Sequence, residues 1–338
     1  MLVPGRCGRA GPCGRTSVWK GVRVRICVAG EGAIGRKHLS VLGRIPGVEV
    51  CALVAGRGEA GAAVAAEYGV PEVSTDLDGM LVRPDIDAVV LATPTPLHAD
   101  QAVRVLRAGK HCLVEIPMAD NLADAEELAR VARESGRVAM VCHTRRFNPP
   151  HRWVRARIAA GRLRLRHLVA QTFFLRRDNR NALGEPRDWT DHLLWHHACH
   201  TVDLFGHTTG ERPSGLFALQ GPPDANLGIA MDLSIGLKVP SGALCTAALS
   251  FHHDGPQGTT FRYVCDEGTY VAHYDDLVDG HGNPVDLAEV TGDGAADGIE
   301  EQDREFVAAV TGGREPESSV ARGLDTMRVL HELDTRAG

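Results

Sequence analysis

Four residues of this 338-residue chain could take part in a single proton transfer, namely His192, His196, His200 and Asp203, at intervals of four, four and three. On a regular α-helix that spacing makes one stripe. An imidazole titrates near neutrality, so it can take a hydroxyl proton as hydride leaves the same carbon, an assistance worth roughly 100- to 10,000-fold in rate. We assign that base to His200, with His196 or Asp203 orienting or polarising it. The H-x-x-x-H spacing of His196 and His200 can also present two ligands to zinc. No Glu follows the first His, as it would in a metallopeptidase, and Glu115 is the one distant candidate for a further ligand, so we read no metal site.

Two basic segments complement the histidines: His143-Thr144-Arg145-Arg146-Phe147-Asn148-Pro149 and Arg176-Arg177-Asp178-Asn179-Arg180-Asn181. Guanidinium groups grip carboxylates at two points. Arg145, Arg146, Arg177 and Arg180 are expected to face one cleft, with Asp191, His192 and His197 lining it, and to bind a small substrate with more than one carboxylate. Overall the chain is acidic, with 37 Lys+Arg against 43 Asp+Glu and a net charge of -6. General attraction to nucleic acid or an anionic membrane is therefore not expected.

A third group is glycine. Ala29-Gly30-Glu31-Gly32-Ala33-Ile34-Gly35 follows an apolar run and opens a helical stretch. Gly30, Gly32 and Gly35 allow the backbone to turn tightly and approach a pyrophosphate, while Ala33 and Ile34 begin the helix whose free N–H groups stabilise its charge. An acid at the end of the next strand would read a ribose 2'-hydroxyl; Val54-Ala55-Gly56-Arg57 has none. This favours NADP, with Arg57 on the 2'-phosphate and NAD as the lesser alternative. The loop Thr93-Pro94-Thr95-Pro96-Leu97-His98 is expected beside the cofactor, supplying Thr93, Pro94, Thr95 and His98.

These residues need elements to hold them. Val24 to Ala29, Val48 to Val54, Ala88 to Ala92, Cys112 to Glu115 and Val138 to Cys142 are continuous apolar runs, as buried parallel strands are. Helical stretches (Glu59 to Tyr68, His98 to Ala108, Leu122 to Ser135) alternate with them and predict an α/β class: an N-terminal Rossmann, doubly wound parallel sheet over residues 23–147. Residues 148–338 form a second α/β domain with a large, mostly antiparallel open sheet. It contains a helix at His151 to Ala160, a strand at His167 to Leu175 and a helix at Asp191 to Phe205. Strands follow at Ile229 to Val239, Ala243 to Phe251, Thr259 to Cys265 and Thr269 to His273, then helices at Ile299 to Val310 and Val320 to Leu333. Residues 1–22, rich in Gly and Arg, read as a disordered extension or a misassigned start. The odd count of nine cysteines with no C-x-x-C argues for thiols and a cytoplasmic protein.

The order of Gly35-Arg36-Lys37-His38, Ala92-Thr93-Pro94 and Gly109-Lys110-His111 running into Glu115-Ile116-Pro117 resembles the glucose-fructose oxidoreductase and inositol dehydrogenase (Gfo/Idh/MocA) family, over nearly the whole chain from Arg23. The resemblance implies cofactor contacts from Glu115 and Ile116, and a second domain whose open sheet both faces the substrate and joins copies into a homodimer or homotetramer. Two departures matter. Ile116 stands where the family usually has a lysine that assists proton transfer, and His196 stands where its Asp-x-x-x-His helix has the aspartate. Further stretches, Asn181 through Gly184-Glu185-Pro186-Arg187 and Trp189-Thr190-Asp191-His192-Leu193-Leu194-Trp195-His196-His197, resemble a branch that shares the isoleucine. That branch implies oxidation of a cyclic hemiacetal bearing two carboxylates to a lactone, with NADP accepting hydride and Cys199 only packing. A sugar or cyclitol dehydrogenase and a non-catalytic nucleotide-binding regulator remain the alternatives.

Overall fold

The computed structural model describes residues 23–180, 184, 186–187, 189–291 and 297–337. Residues 1–22, and with them the expectation for the leader, lie outside that set. Six apolar runs pair in parallel: β1 (Val24–Ala29), β2 (Val48–Val54), β3 (Val73–Ser74), β4 (Ala88–Leu91), β5 (His111–Val114) and β6 (Ala139–Val141). Their order is β3-β2-β1-β4-β5-β6. Helices α1 (Ala33–Leu42), α2 (Gly58–Tyr68), α3 (Leu77–Leu81), α4 (His98–Arg107) and α5 (Leu122–Ser135) follow successive strands and cover the faces. The strand order reverses between β1 and β4. Ligands of open α/β sheets sit in the crevice beyond such a switch point, so the glycine turn after β1 and the Thr93 loop after β4 form its walls.

After α6 (Pro149–Ala159) a second sheet forms from β7 (Leu165–Phe173), β8 (Gly215–Gln220), β9 (Asp232–Lys238), β10 (Leu244–Ser250), β11 (Gly258–Cys265), β12 (Gly268–His273) and β13 (Asp276–Asp279). Its order is β13-β12-β11-β7-β10-β9-β8, antiparallel throughout except for the β7–β10 pair. Burial alternates along β9, β10 and β11, so one face packs on helices while the other shows Gln171, Ser234, Thr246 and Arg262 to solvent.

The sequence reading omits β3, α3, β8, β13 and a short helix at Ala288–Thr291. The first and last of these strands have two and four residues, and β8 is an edge strand with Phe217 and Leu219 exposed, so none carries a buried apolar pattern. The helix expected from Asp191 also differs. A π turn covers Leu193–Ala198 and the α-helix α7 begins only at Cys199, running to Thr209. The short helix α8 (Ala288–Thr291) precedes two long ones, α9 (Gly298–Gly312) and α10 (Val320–Ala337). These return to the first half: α9 packs on α1, and α10 on α5, α7 and β8. The Ser318 hydroxyl donates to the Val141 carbonyl at 2.8 Å, fixing the start of α10 to the last parallel strand.

No helix among the described residues is long and apolar enough to cross a membrane. The seven cysteines described are free and buried.

A methyl group at Gly35 would lie 1.9 Å from the Gly30 carbonyl oxygen, inside van der Waals contact with a rigid neighbour. Gly35→Ala should destabilise the fold by about 1–3 kcal/mol, as overpacking does, and should abolish dinucleotide binding measured by reduced-nicotinamide fluorescence. An unchanged melting temperature together with unchanged affinity would contradict this account of the turn.

Candidate active site

The turn after β1 is shaped for a diphosphate. Gly30 has φ 117°, and a Cβ there would meet the Ala92 carbonyl oxygen at 2.2 Å, so the turn and the β4 loop touch backbone to backbone. Gly32 caps α1 without a side-chain hydrogen bond, and nothing lies within 4 Å of where its Cβ would be. The space beside Gly32 at the N-terminus of α1 is therefore open, and the first-turn N–H groups of a helix, here from Ala33 and Ile34 onward, are the donors that bind an anion. The residues present fit a dinucleotide pyrophosphate.

At the end of β2 the structure adds a residue that the sequence reading missed. The Gly56 N–H donates to the Glu31 carboxylate at 3.0 Å, so an acid does stand at this edge, sent from the neighbouring strand's turn. Parallel pairing of Ala29 with Val54 brings the two turns side by side and is the signal that could have found it. Arg57, exposed, begins α2 as its cap.

In the β4 loop, Thr95 is buried, Pro94 is exposed, and the Thr93 hydroxyl donates to the Gln101 side chain at 2.6 Å. His98, expected at the cofactor, is buried with both ring nitrogens 2.8 Å from carbonyl oxygens, those of Pro117 and Thr93. Its work is to hold the β4 loop against the β5 loop. Behind them Glu115 accepts from His38 at 3.1 Å, and His38 reaches Asp303 of α9 at 2.8 Å. Burial opposes charge on His38, but Asp303 and Glu115 outweigh it and lift the imidazole to about 10. Burial likewise opposes charge on Glu115, and that imidazolium holds it down. Its second oxygen accepts the Ile116 N–H at 3.1 Å, and the half-buried Ile116 side chain offers hydrocarbon and no titratable group there. Cys142 lies with His38 and Glu115 in a cluster whose ligand-type atoms fall within 4.8 Å of one another.

The π turn breaks the histidine stripe. Its hydrogen bonds run i→i+5, so residues four apart cease to stack. His192 is exposed, and its N–H donates to His196 Nδ1 at 2.9 Å; the His196 ring stacks on Trp189. With Pro96, Asp120, Trp195 and Asp334 these residues line a cavity of about 350 Å³. His200 instead lies beside Arg145, His143 and His197. Asp203 is tied elsewhere than to His200, on which it acts only as a minor charge. It is buried and forked by Arg146 at 2.6 and 2.8 Å, with His143 at 3.4 Å and the Thr326 hydroxyl donating at 3.0 Å.

The same pair corrects Arg146, which was expected to bind substrate. Its guanidinium is 6% exposed and already satisfied by Asp203 and the Glu317 carbonyl. Arg177 and Arg180 are corrected too: both are exposed, and Arg180 bonds Asp178 and the Gly184 carbonyl. Beyond the end of β7 the chain lays Arg176 over the Phe251 ring and against Asp191 and leaves the next residue, Arg177, exposed, which accounts for the first error. Arg176 and Arg187 take these places, each donating to Asp191 at 2.6 and 2.7 Å. Asp191 is thus a bracket between two arginines. Burial pulls its carboxyl upward, but His197, Arg176 and Arg187 hold it well below the usual carboxylate range.

One deficit remains among the described residues. Arg176 Nη1, and Arg187 Nε and Nη2, are buried without hydrogen-bond partners, as are His197 Nε2 and His200 Nδ1. Arg145 has no carboxylate at ion-pair distance and instead rests over the rings of Phe261 and Tyr274, 5.8 and 5.6 Å from their centroids. Burial pushes its guanidinium down from the usual arginine range. Burial, with the Arg145 cation adding, pushes His200 well below the ordinary histidine range, so it stands neutral with a lone pair to offer. The neighbouring Cys199 thiol is pushed up by burial, which leaves it protonated and inert.

Residues 24–143 match the profile described as the oxidoreductase family with an NAD-binding Rossmann fold, and residues 149–291 match that of the bacterial oxidoreductase C-terminal domain. A curated relative, 4-carboxy-2-hydroxymuconate-6-semialdehyde dehydrogenase of Sphingobium sp. (strain NBRC 103272 / SYK-6), is 54% identical over 93% of this chain and 98% of its own length. The chain belongs to the Gfo/Idh/MocA family. It is accordingly an NAD(P)-dependent oxidoreductase. A 1,5-anhydro-D-fructose reductase of Ensifer adhaerens is 38% identical, over 43% of each chain. Levoglucosan dehydrogenase, solved with NADH and L-sorbose, superposes with TM-score 0.83 at 18% identity, covering 94% of this chain and 97% of that one. Aldose-aldose oxidoreductase from Caulobacter crescentus gives 0.81 at 21%, covering 93% and 97%. Both share the fold.

Within this family member the Arg146–Asp203 pair is a framework element, and its removal should read as stability. Asp203→Asn should cost about 3–5 kcal/mol in urea unfolding at pH 7, because it strands a buried guanidinium. Burial pulls the Asp203 carboxyl upward, but Arg146 holds it well below the ordinary range. A depressed carboxylate contributes stability above its unfolded value, about 3.9, and loses it as pH falls through the folded one. The gap between variant and wild type should therefore close below about pH 4. A gap that is absent at pH 7, or the same at both pH values, would contradict the assignment.

Proposed function

We propose that this enzyme oxidises the cyclic hemiacetal of 4-carboxy-2-hydroxymuconate-6-semialdehyde to the lactone 2-pyrone-4,6-dicarboxylate, with NADP as the preferred acceptor. The observation that carries the reading is a set of incompletely paired arginines: half-buried Arg145 beside His200, with no carboxylate at ion-pair distance among the described residues, and Arg176 and Arg187 around Asp191, whose Nη1, and Nε and Nη2, are buried without hydrogen-bond partners. Buried charge of one sign without compensation is costly, and two substrate carboxylates relieve it. A neutral sugar does not. The 54% identical relative whose printed name contains this substrate supports the same choice.

The chain's own residues divide the work. The turn at Gly30, Gly32 and Gly35 and the N-terminus of α1 hold the dinucleotide; nicotinamide bound there supplies the hydride acceptor. Arg145 takes one carboxylate and the Arg176–Asp191–Arg187 bracket the other. His200 receives the hydroxyl proton as the C–H electron pair leaves as hydride, and the carbon–oxygen bond becomes the lactone carbonyl. A carboxylate on Arg145 also offsets the cation that adds to burial in holding His200 down, so substrate binding raises the basicity of the imidazole where it is needed. No lysine stands at position 116 to assist, and no thiol is required, because the hemiacetal oxidises as an alcohol. Copies of the chain pair through the open face of the β8–β13 sheet, and the enzyme works in the cytoplasm.

The test follows reduced-nicotinamide absorbance with the semialdehyde, a panel of sugars and no substrate. Turnover is expected with the semialdehyde alone. His200→Ala should lower kcat by roughly 100- to 10,000-fold. Arg145→Gln should lower kcat/KM by about 100-fold through loss of a buried charge partner, with a larger share in KM. Comparable turnover of a sugar would favour the cyclitol-type reading, and no turnover of any compound would favour a regulator.

A further inference from the structure

The edge of the sheet where an adenosine ribose is read carries an acid that its own strand does not supply. β2 ends in the neutral run Val54-Ala55-Gly56, and in dinucleotide folds a side chain at that end meets the ribose 2' position. Glu31 reaches the same place from between two glycines of the β1 turn. One of its oxygens accepts the Gly56 N–H at 3.0 Å. The other lies 3.6 Å from where a Gly56 Cβ would be, so the carboxylate rests against the bare backbone at position 56. Glu31 is half-buried, and its next neighbour in the chain is the cap of α1. An anion is thereby fixed at the end of β2, with Arg57 one residue further on.

We infer that Glu31 is a cofactor-specificity residue: its carboxylate accepts the 2'-hydroxyl of NAD and repels the 2'-phosphate of NADP, offsetting Arg57 so that the site takes both. The dianion of a 2'-phosphate is repelled by Glu31 where it rests on the Gly56 amide; displacing Glu31 frees that amide as a donor to the phosphate. A 2'-hydroxyl needs no such displacement. The inference rests on the dinucleotide site at the glycine turn and is independent of the substrate proposed above.

The experiment is calorimetric titration of NAD+ and NADP+, and of the fragments 5'-AMP and adenosine 2',5'-bisphosphate, into wild-type protein and Glu31→Gln without substrate. Glutamine keeps the length and an acceptor for Gly56 but loses the charge. Removing one like charge a few ångströms from the phosphate should tighten NADP+ binding by about tenfold. NAD+ should bind equally or more weakly, and the two fragments should shift as their parent nucleotides do. Glu31→Asp, which keeps the charge, should stay nearer to wild type. A ratio of NADP+ to NAD+ affinity that is unchanged within about twofold would overturn the inference, as would parallel weakening of both nucleotides, the result expected if Glu31 only braced the turn. A wild-type preference for NAD+ would count against the proposed NADP preference, whereas the Glu31→Gln shift would still decide this one.

Discussion

A guanidinium group taken out of water without full pairing costs free energy, and this chain keeps one such group, Arg145, beside His200 and two more, Arg176 and Arg187, sharing Asp191. The contrast within the structure is sharp. Arg146 is nearly fully buried yet forked by Asp203 and bonded to a carbonyl. Arg145, one residue earlier, has rings for neighbours and no anion at ion-pair distance among the described residues. Arg176 and Arg187 share one aspartate between them. The first pair is framework. The others are incompletely paired, and burial, with the Arg145 cation adding, keeps the nearby His200 neutral.

Everything else serves to hold these side chains against the cofactor. The parallel sheet places the glycine turn and the β4 loop at its switch point, and His98 clamps the β4 and β5 loops through two backbone carbonyls. His38, charged between Glu115 and Asp303, binds α1 to α9 and so carries the C-terminal helices back to the first sheet. The π turn before α7 sends His196 to one side and His200 to the other. That extra residue in the turn separates His196, which lines the cavity by Trp189, from His200, which lies beside Arg145.

The framework was legible because its signals are local. Continuous apolar runs alternating with helical stretches specify the parallel sheet, and the glycine spacing specifies the turn. The site was legible only in part. Arginine content marked the right segments, but which arginine faces inward depends on the path of the chain beyond the end of β7, and that put Arg177 in the place of Arg176. Residues four apart form a stripe only where the helix is α throughout, and a π turn breaks the stripe without changing composition. Asp203 and Arg146 were read as functional because a buried ion pair and a binding residue have the same sequence appearance. Glu31 was passed over because its partner, Gly56, is brought to it by strand pairing and by no feature of the local sequence.

The most direct measurement of the central claim is the affinity of the chain for the dicarboxylate lactone and for its two monocarboxylate analogues, by calorimetry across a range of salt. If unpaired arginines await two anions, the dicarboxylate binds best, and deleting either carboxylate weakens binding by at least about tenfold. Affinity then falls as salt rises. Equal affinity for the three compounds, or tighter binding of an uncharged polyol, would contradict it.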